Sequence, residues 1–139
     1  MNNFSDEEIV ARAQIFASVE AGMTFWSREV FEKGAFKVLE LCKEGEYKED
    51  VKSILKSNGH QVLEKLEELG IGFIVPGSQF DELPAPPIGL TFKGDIELLN
   101  HRSIAIVGTR NPTQYGAKVA SEMAANFVDR EWAVVSGGA

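Results

Sequence analysis

Arg110 stands in a glycine-bearing loop, and the residue types around it suit the capture of an anion. Residues 104–116 read I-A-I-V-G-T-R-N-P-T-Q-Y-G. Gly108 permits a tight turn and a close backbone approach. The amides of 109–111 and 114–116 can then point at an anion, helped by the positive end of a following helix. Arg110 adds a permanently charged, bidentate donor for a phosphate oxygen pair. Taken alone, G-T-R has a plainer reading, a turn glycine beside a surface charge. Thr113 is placed as a helix cap. Tyr115 either stacks on a base, as aromatics do with single strands, or packs over the first helical turn. Gly116 opens the helix. Lys118, one turn in, either reaches phosphate or is simply solvated. Further on, Ser136, Gly137 and Gly138 form a second small-residue loop. Ser136 can bond a ligand or its own loop, and the two glycines let backbone approach phosphate.

The elements that must hold these loops are short. The apolar run at 104–107 suits a strand buried on both faces. From Gly116 the period turns helical: Val119, Met123 and Phe127 recur every four residues, with Ala120, Ala124 and Val128 beside them. A second apolar run at 132–135 leads into S-G-G. Strand, loop, helix, strand, loop is a βαβ crossover with parallel strands. In such sheets ligands sit beyond the carboxyl ends of the strands, where both loops lie.

Upstream, Ser5-Asp6-Glu7-Glu8 is an S-x-x-E capping box that opens a helix carrying Ile9, Ala13, Phe16 and Val19, with Gly22 as its stop. Trp26, Val30 and Phe31 mark a second helix ending near Gly34. Phe36, Val38, Leu39 and Leu41 mark a third ending near Gly45, and Val51, Ile54 and Leu55 a fourth. Asn58 caps a fifth, with Gln61 three residues on, Val62, Leu66 and Leu69 as its buried positions and Gly70 as its stop. Residues 71–75 and 88–92 read as strands, 76–87 as a proline-bearing loop and 96–99 as one helical turn. The chain thus divides into a helical region, 1–70, and an α/β region, 71–139.

Composition narrows the function. Net charge is −7, from 21 acidic and 14 basic side chains. That argues against a large nucleic-acid footprint, because affinity for phosphate comes from Lys and Arg, yet it leaves room for a small cationic site. Residues 1–70 carry 14 acids and 9 bases, net −5; residues 71–139 carry 7 and 5, net −2. The helical region lacks a hairpin signature for DNA backbone, and packing or partner contact is its better reading. The lone Cys42 forbids an intramolecular disulfide, which suits a reducing compartment. No apolar run reaches membrane-spanning length and no signal-peptide pattern is present, so the expectation is a soluble cytoplasmic protein. Catalysis finds little support, so no enzyme activity and no cofactor is expected. His60 reads as an exposed first-turn residue, and His101, just before a strand, as a flank of the site. One cysteine and two isolated histidines do not make a metal site. Trp26 and Trp132 read as core rather than as base platforms.

Taken together, P-G-S at 76–78, the proline-bearing loop, F-K-G-D at 92–95, I-A-I-V-G-T-R at 104–110, P-T-x-Y-G at 112–116 and V-V-S-G-G-A at 134–139 resemble the DprA/Smf family of DNA-processing proteins of bacterial transformation. The resemblance covers roughly residues 66–139. It implies an α/β fold, a partial Rossmann-like parallel sheet preceded by a small all-helical N-terminal domain. It also implies binding and protection of single-stranded DNA and its delivery to the RecA recombinase, by dimers that catalyse no reaction. The family's G-[ST]-R arginine falls on Arg110 and contacts DNA phosphate; the glycines of its second loop fall on Gly137 and Gly138. The family pattern continues past S-G-G-A into a further loop, helix and strands, so the expectation is an incomplete sheet. Its later DNA-contacting, dimerisation and RecA surfaces would then lie outside residues 1–139: either the chain is a fragment, or the gene is truncated, or another chain, by self-association or otherwise, completes the sheet. Two other readings stand beside this one: a truncated protein-interaction module, and a nucleotide-binding Rossmann-like protein.

Overall fold

A computed structural model describes residues 4–20, 22–77 and 81–137. They form two compact units, residues 1–94 and 95–139.

The first unit opens with α1 (Asp6–Phe16), α2 (Thr24–Lys33), α3 (Ala35–Glu44), α4 (Lys52–Lys56) and α5 (Gly59–Glu68). Its ends are set by local chemistry. The Ser5 hydroxyl accepts from the Glu8 amide, and the Asn58 side chain accepts from the Gln61 amide. Gly45 and Gly70 adopt left-handed φ of 77° and 65°. Beyond each, an amide reaches back to a carbonyl of the last helical turn: Glu46 N to Leu41 O at 3.0 Å and Ile71 N to Leu66 O at 2.9 Å. α1 ends sooner than expected, at Phe16 rather than at Gly22. The Ala17 and Val19 amides close its last turn onto Ala13 and Ile15 carbonyls.

The helices enclose a core of Ala11, Ile15, Trp26, Val30, Ala35, Val38, Leu39, Cys42 and Ile54, with Ile88 joining from the loop side. Trp26 is core, as its apolar neighbours suggested, and burial pushes the Cys42 thiol pKa up. α5 departs from expectation: Val62 and Leu66 are half-buried and Leu69 is exposed. What α5 buries instead is its first residue. A Cβ on Gly59 would lie 2.0 Å from the Val10 carbonyl oxygen, so α5 meets α1 backbone to backbone.

Helix gives way to strand at Gly70, where the sequence changes character. β1 (Gly72–Ile74) pairs with β2 (Leu90–Phe92), and the pairing is antiparallel, a separate two-stranded ribbon. The Phe92 ring lies over Gly72, its cross-strand partner, and the Phe73 ring over Gly89. Phe73 also meets Phe16 of α1 edge-on at 5.4 Å. These contacts group the ribbon with the helices, so the compact unit extends to Gly94.

The second unit holds a 3-10 turn (Ile96–Asn100), β3 (Ser103–Ala105), α6 (Gln114–Val128) and β4 (Ala133–Val135). β3 and β4 pair in parallel, with Ile104 opposite Val134 and Ala105 opposite Val135. The crossover is therefore βαβ, and the molecule is of mixed α/β class. The strand expected to be buried on both faces is covered on one. Ile104, Ile106 and Val134 are half-buried, whereas Ser103, Ala105, Val107 and Val135 are exposed. Among the described residues α6 packs on this sheet, from the side of Val119, Ala120, Ala124 and Phe127, and Met123 and Val128 lie outside that face.

Candidate functional site

β3 and β4 are hydrogen-bonded neighbours running the same way, so the loops that follow them leave from one edge of the sheet. The pairing runs one step past β3, where the Ile106 amide donates to the Val135 carbonyl at 2.9 Å. Beyond it, residues 107–115 are all exposed. They are open to solvent, whereas sites for small ligands favour concave burial.

Arg110 is exposed and forms no ion pair among the described residues. Its loop is held from within. The Asn111 amide donates to the Thr109 hydroxyl at 3.2 Å, and the Gly116 amide to the Thr113 hydroxyl at 3.1 Å. Thr113 is thus the cap of α6, with the extended backbone of an N-cap. Those two bonds occupy two of the six amides that sequence reasoning had aimed at an anion. No hydrogen bond among the described residues takes up the amides of Thr109, Arg110, Gln114 or Tyr115. This shorter set lies around the N-terminus of α6, where the helix dipole favours negative charge.

The remaining candidates separate clearly. Tyr115 is 78% exposed, so its ring does not pack over the first turn. Lys118 pairs with Glu122 at 3.7 Å, and both side chains are largely solvated, so water and salt screen the pair. Ser136 and Gly137 follow β4 at the same edge as Gly108, and both are exposed. Gly138 lies outside the described residues. Gly108 and Gly137 have no positive φ, and a Cβ on either would meet nothing within 4 Å. The tight turn expected at Gly108 is absent; what the residue leaves is open space beside Arg110. A Cβ on Gly116 would sit at ordinary contact, 3.4 Å from the Thr113 hydroxyl.

His101 does not flank this edge. It closes the 3-10 turn two residues before Ser103, at the opposite end of β3. His60 is exposed on the first turn of α5, in the helical unit. Among the described residues no three His, Cys, Asp or Glu side chains gather as metal ligands, and no helix is long and apolar enough to cross a membrane.

Comparison with known proteins puts a family around this edge. The profile of the DNA recombination-mediator protein A family matches residues 76–139. The chain is similar to DNA processing protein DprA of Bacillus subtilis, 47% identical over 53 residues, which is 37% of this chain and 18% of that protein. It is also similar to a DprA protein of Mycobacterium tuberculosis, 55% identical over 38 residues, which is 27% of this chain and 10% of the relative. The matched stretches therefore span less than a fifth of the relatives' own length. No solved structure matches the chain significantly. The segment 76–139, which holds β2 to β4 and both loops, is similar to the DNA recombination-mediator protein A family.

Proposed function

We propose that this chain contributes a single-stranded-DNA-binding edge to a recombination mediator, with residues 71–139 as the opening half of a Rossmann-like domain. In this reading Arg110 grips backbone phosphate. The unpaired amides at 109, 110, 114 and 115 add neutral donors, and Gly108, Gly116 and Gly137 keep the approach clear. Tyr115 supplies a face on which a base can stack. Thr109, Thr113 and Ser136 shape the two loops, and Lys118 adds charge one turn into α6. The observation that carries the reading is the placement of an exposed, unpaired arginine among unpaired amides, where two neighbouring parallel strands end. Chemistry on the DNA is not part of the proposal. The bound strand would be protected and passed to a recombinase of the RecA class, the step that the term recombination mediator describes.

Such binding is electrostatic. Each phosphate neutralised on a single strand contributes a slope of about −0.7 to log K against log salt. Titration of fluorescent oligo-dT at several salt concentrations should therefore give a measurable slope for the wild type. In Arg110→Ala the slope should be shallower by about 0.7, and Arg110→Glu should bind still more weakly. Equal affinity and equal slope in all three proteins would remove Arg110 from the site.

A further inference from the structure

The helical unit carries an open groove, distinct from the edge just described. Val10 and Ala11 of α1 and Phe36 and Leu39 of α3 line it, with His60 of α5. Its volume is about 270 Å³ and its surface is almost wholly apolar. Phe36 is 49% exposed although its backbone is fixed, its amide donating to Glu8 Oε2 at 3.0 Å. An aromatic ring held half in water beside a concave apolar floor is the pattern of a contact surface.

The rim decides what fits. Asp6 and Glu7 line the groove at the start of α1, and neither takes part in an ion pair among the described residues. They stand in a region whose charge is already net −5. Phosphate, whether of nucleic acid or of a lipid headgroup, is repelled by such a rim. The volume lies below that of pockets which enclose a whole small ligand, roughly 300–1,000 Å³, and suits one anchoring side chain. We infer that this groove docks a cationic amphipathic helix of a partner protein, seating one large apolar side chain on Val10, Ala11 and Phe36 with its Lys or Arg neighbours against Asp6 and Glu7. The DNA edge and the groove then serve different partners, and the mediator joins them.

The test uses the full chain, ¹⁵N-labelled, and a fluorescent synthetic peptide with a leucine stripe at i, i+3, i+4 and i+7 and lysines elsewhere. A second peptide replaces every lysine by glutamate. The lysine peptide should bind and shift the amide resonances of Val10, Ala11, Leu39 and His60, and the glutamate peptide should not bind. Two exposed charge contacts make the double variant Asp6→Asn/Glu7→Gln bind about tenfold more weakly. Phe36→Ser should lose at least about fivefold, as for an anchoring contact. Both variants should keep the wild-type circular dichroism and oligo-dT affinity. The inference fails if the lysine peptide does not bind folded protein, if both peptides bind alike, if neither variant weakens binding, or if the shifts map elsewhere. It also fails if the wild type self-associates and Phe36→Ser abolishes that, because the groove would then hold a second copy.

Discussion

Glu8 does more than the S-x-x-E pattern assigns to it. The pattern sends its carboxylate back to the Ser5 amide, but only the Ser5 half of that exchange forms. The Glu8 carboxylate instead turns outward from α1. It accepts from the Ala35 and Phe36 amides at 2.9 and 3.0 Å, capping α3, whose own N-cap is a glycine. It also holds the Arg12 guanidinium at 2.8 Å, with the two side chains only 11% and 14% exposed. Glu8→Ala would leave two helix amides without their acceptor and a buried arginine without its counter-charge, the Ile88 carbonyl still accepting from it. The loss should be about 3 kcal/mol, the range for breaking one partner from a desolvated pair. Urea unfolding followed by tryptophan fluorescence measures it, since Trp26 lies in that core; an unchanged midpoint would show that Glu8 is dispensable. Ser5 and Asn58 were legible because a cap bonds three residues away. The Glu8 bridge to α3 was not, because its acceptors' partners lie 27 residues on, and no local pattern encodes that distance.

At the scale of elements, two backbone arrangements carry testable strain. α6 ends as α3 and α5 do, with an amide reaching back, Trp132 N to Phe127 O at 3.0 Å, and with the two rings 5.5 Å apart. Here, however, the left-handed position is Glu131, at φ 62°. An L side chain there costs about 1–2 kcal/mol relative to glycine. Glu131→Gly should therefore stabilise the second unit by about 1 kcal/mol, part of the gain being offset by a freer unfolded chain. Hydrogen exchange of the α6 amides reads this directly, and faster exchange would contradict it. The opposite holds where α5 meets α1. Gly59→Ala must push the helices apart, because the new methyl would overlap the Val10 carbonyl, and it should destabilise the helical unit by about 3 kcal/mol or more. A melting temperature equal to wild type would refute it. Gly45 and Gly70 were readable as helix stops from position alone. Gly59 was not, because its reason is a neighbour 49 positions earlier. Likewise the run at 104–107 looked doubly buried because apolar content tells which residues can be covered, not how many layers cover them.

Across the whole molecule, charge is concentrated on the helical unit, and it sets the response to pH. Glu29 joins Lys33, the Tyr47 hydroxyl donating to it at 2.5 Å, beside the edge-on rings of Phe25 and Trp26. The bond from Lys33, and then that from Tyr47, hold the Glu29 carboxyl below its usual pKa near 4.5. A lowered pKa contributes stability that is present above the ordinary carboxylate range and is lost as pH falls through the folded value. Stability should therefore fall below about pH 4.5, and Glu29→Gln should flatten part of that fall while lowering stability at neutral pH. Parallel denaturation series across the acid range decide it; identical slopes would exclude Glu29.

One pair of contacts bears on how such a chain can be recombined. Arg12 donates to the Ile88 carbonyl at 3.0 Å, and Arg28 to the Pro84 carbonyl at 3.2 Å. Both arginines sit on the helices, and both acceptors lie inside the segment that matches the family. A chimera that exchanged residues 1–70 for another helical region would orphan two backbone acceptors and expose Ile88 and the underside of the ribbon. The portable piece is 1–94, so the seam at which this gene can be cut and rejoined falls inside the family's own sequence rather than at its edge.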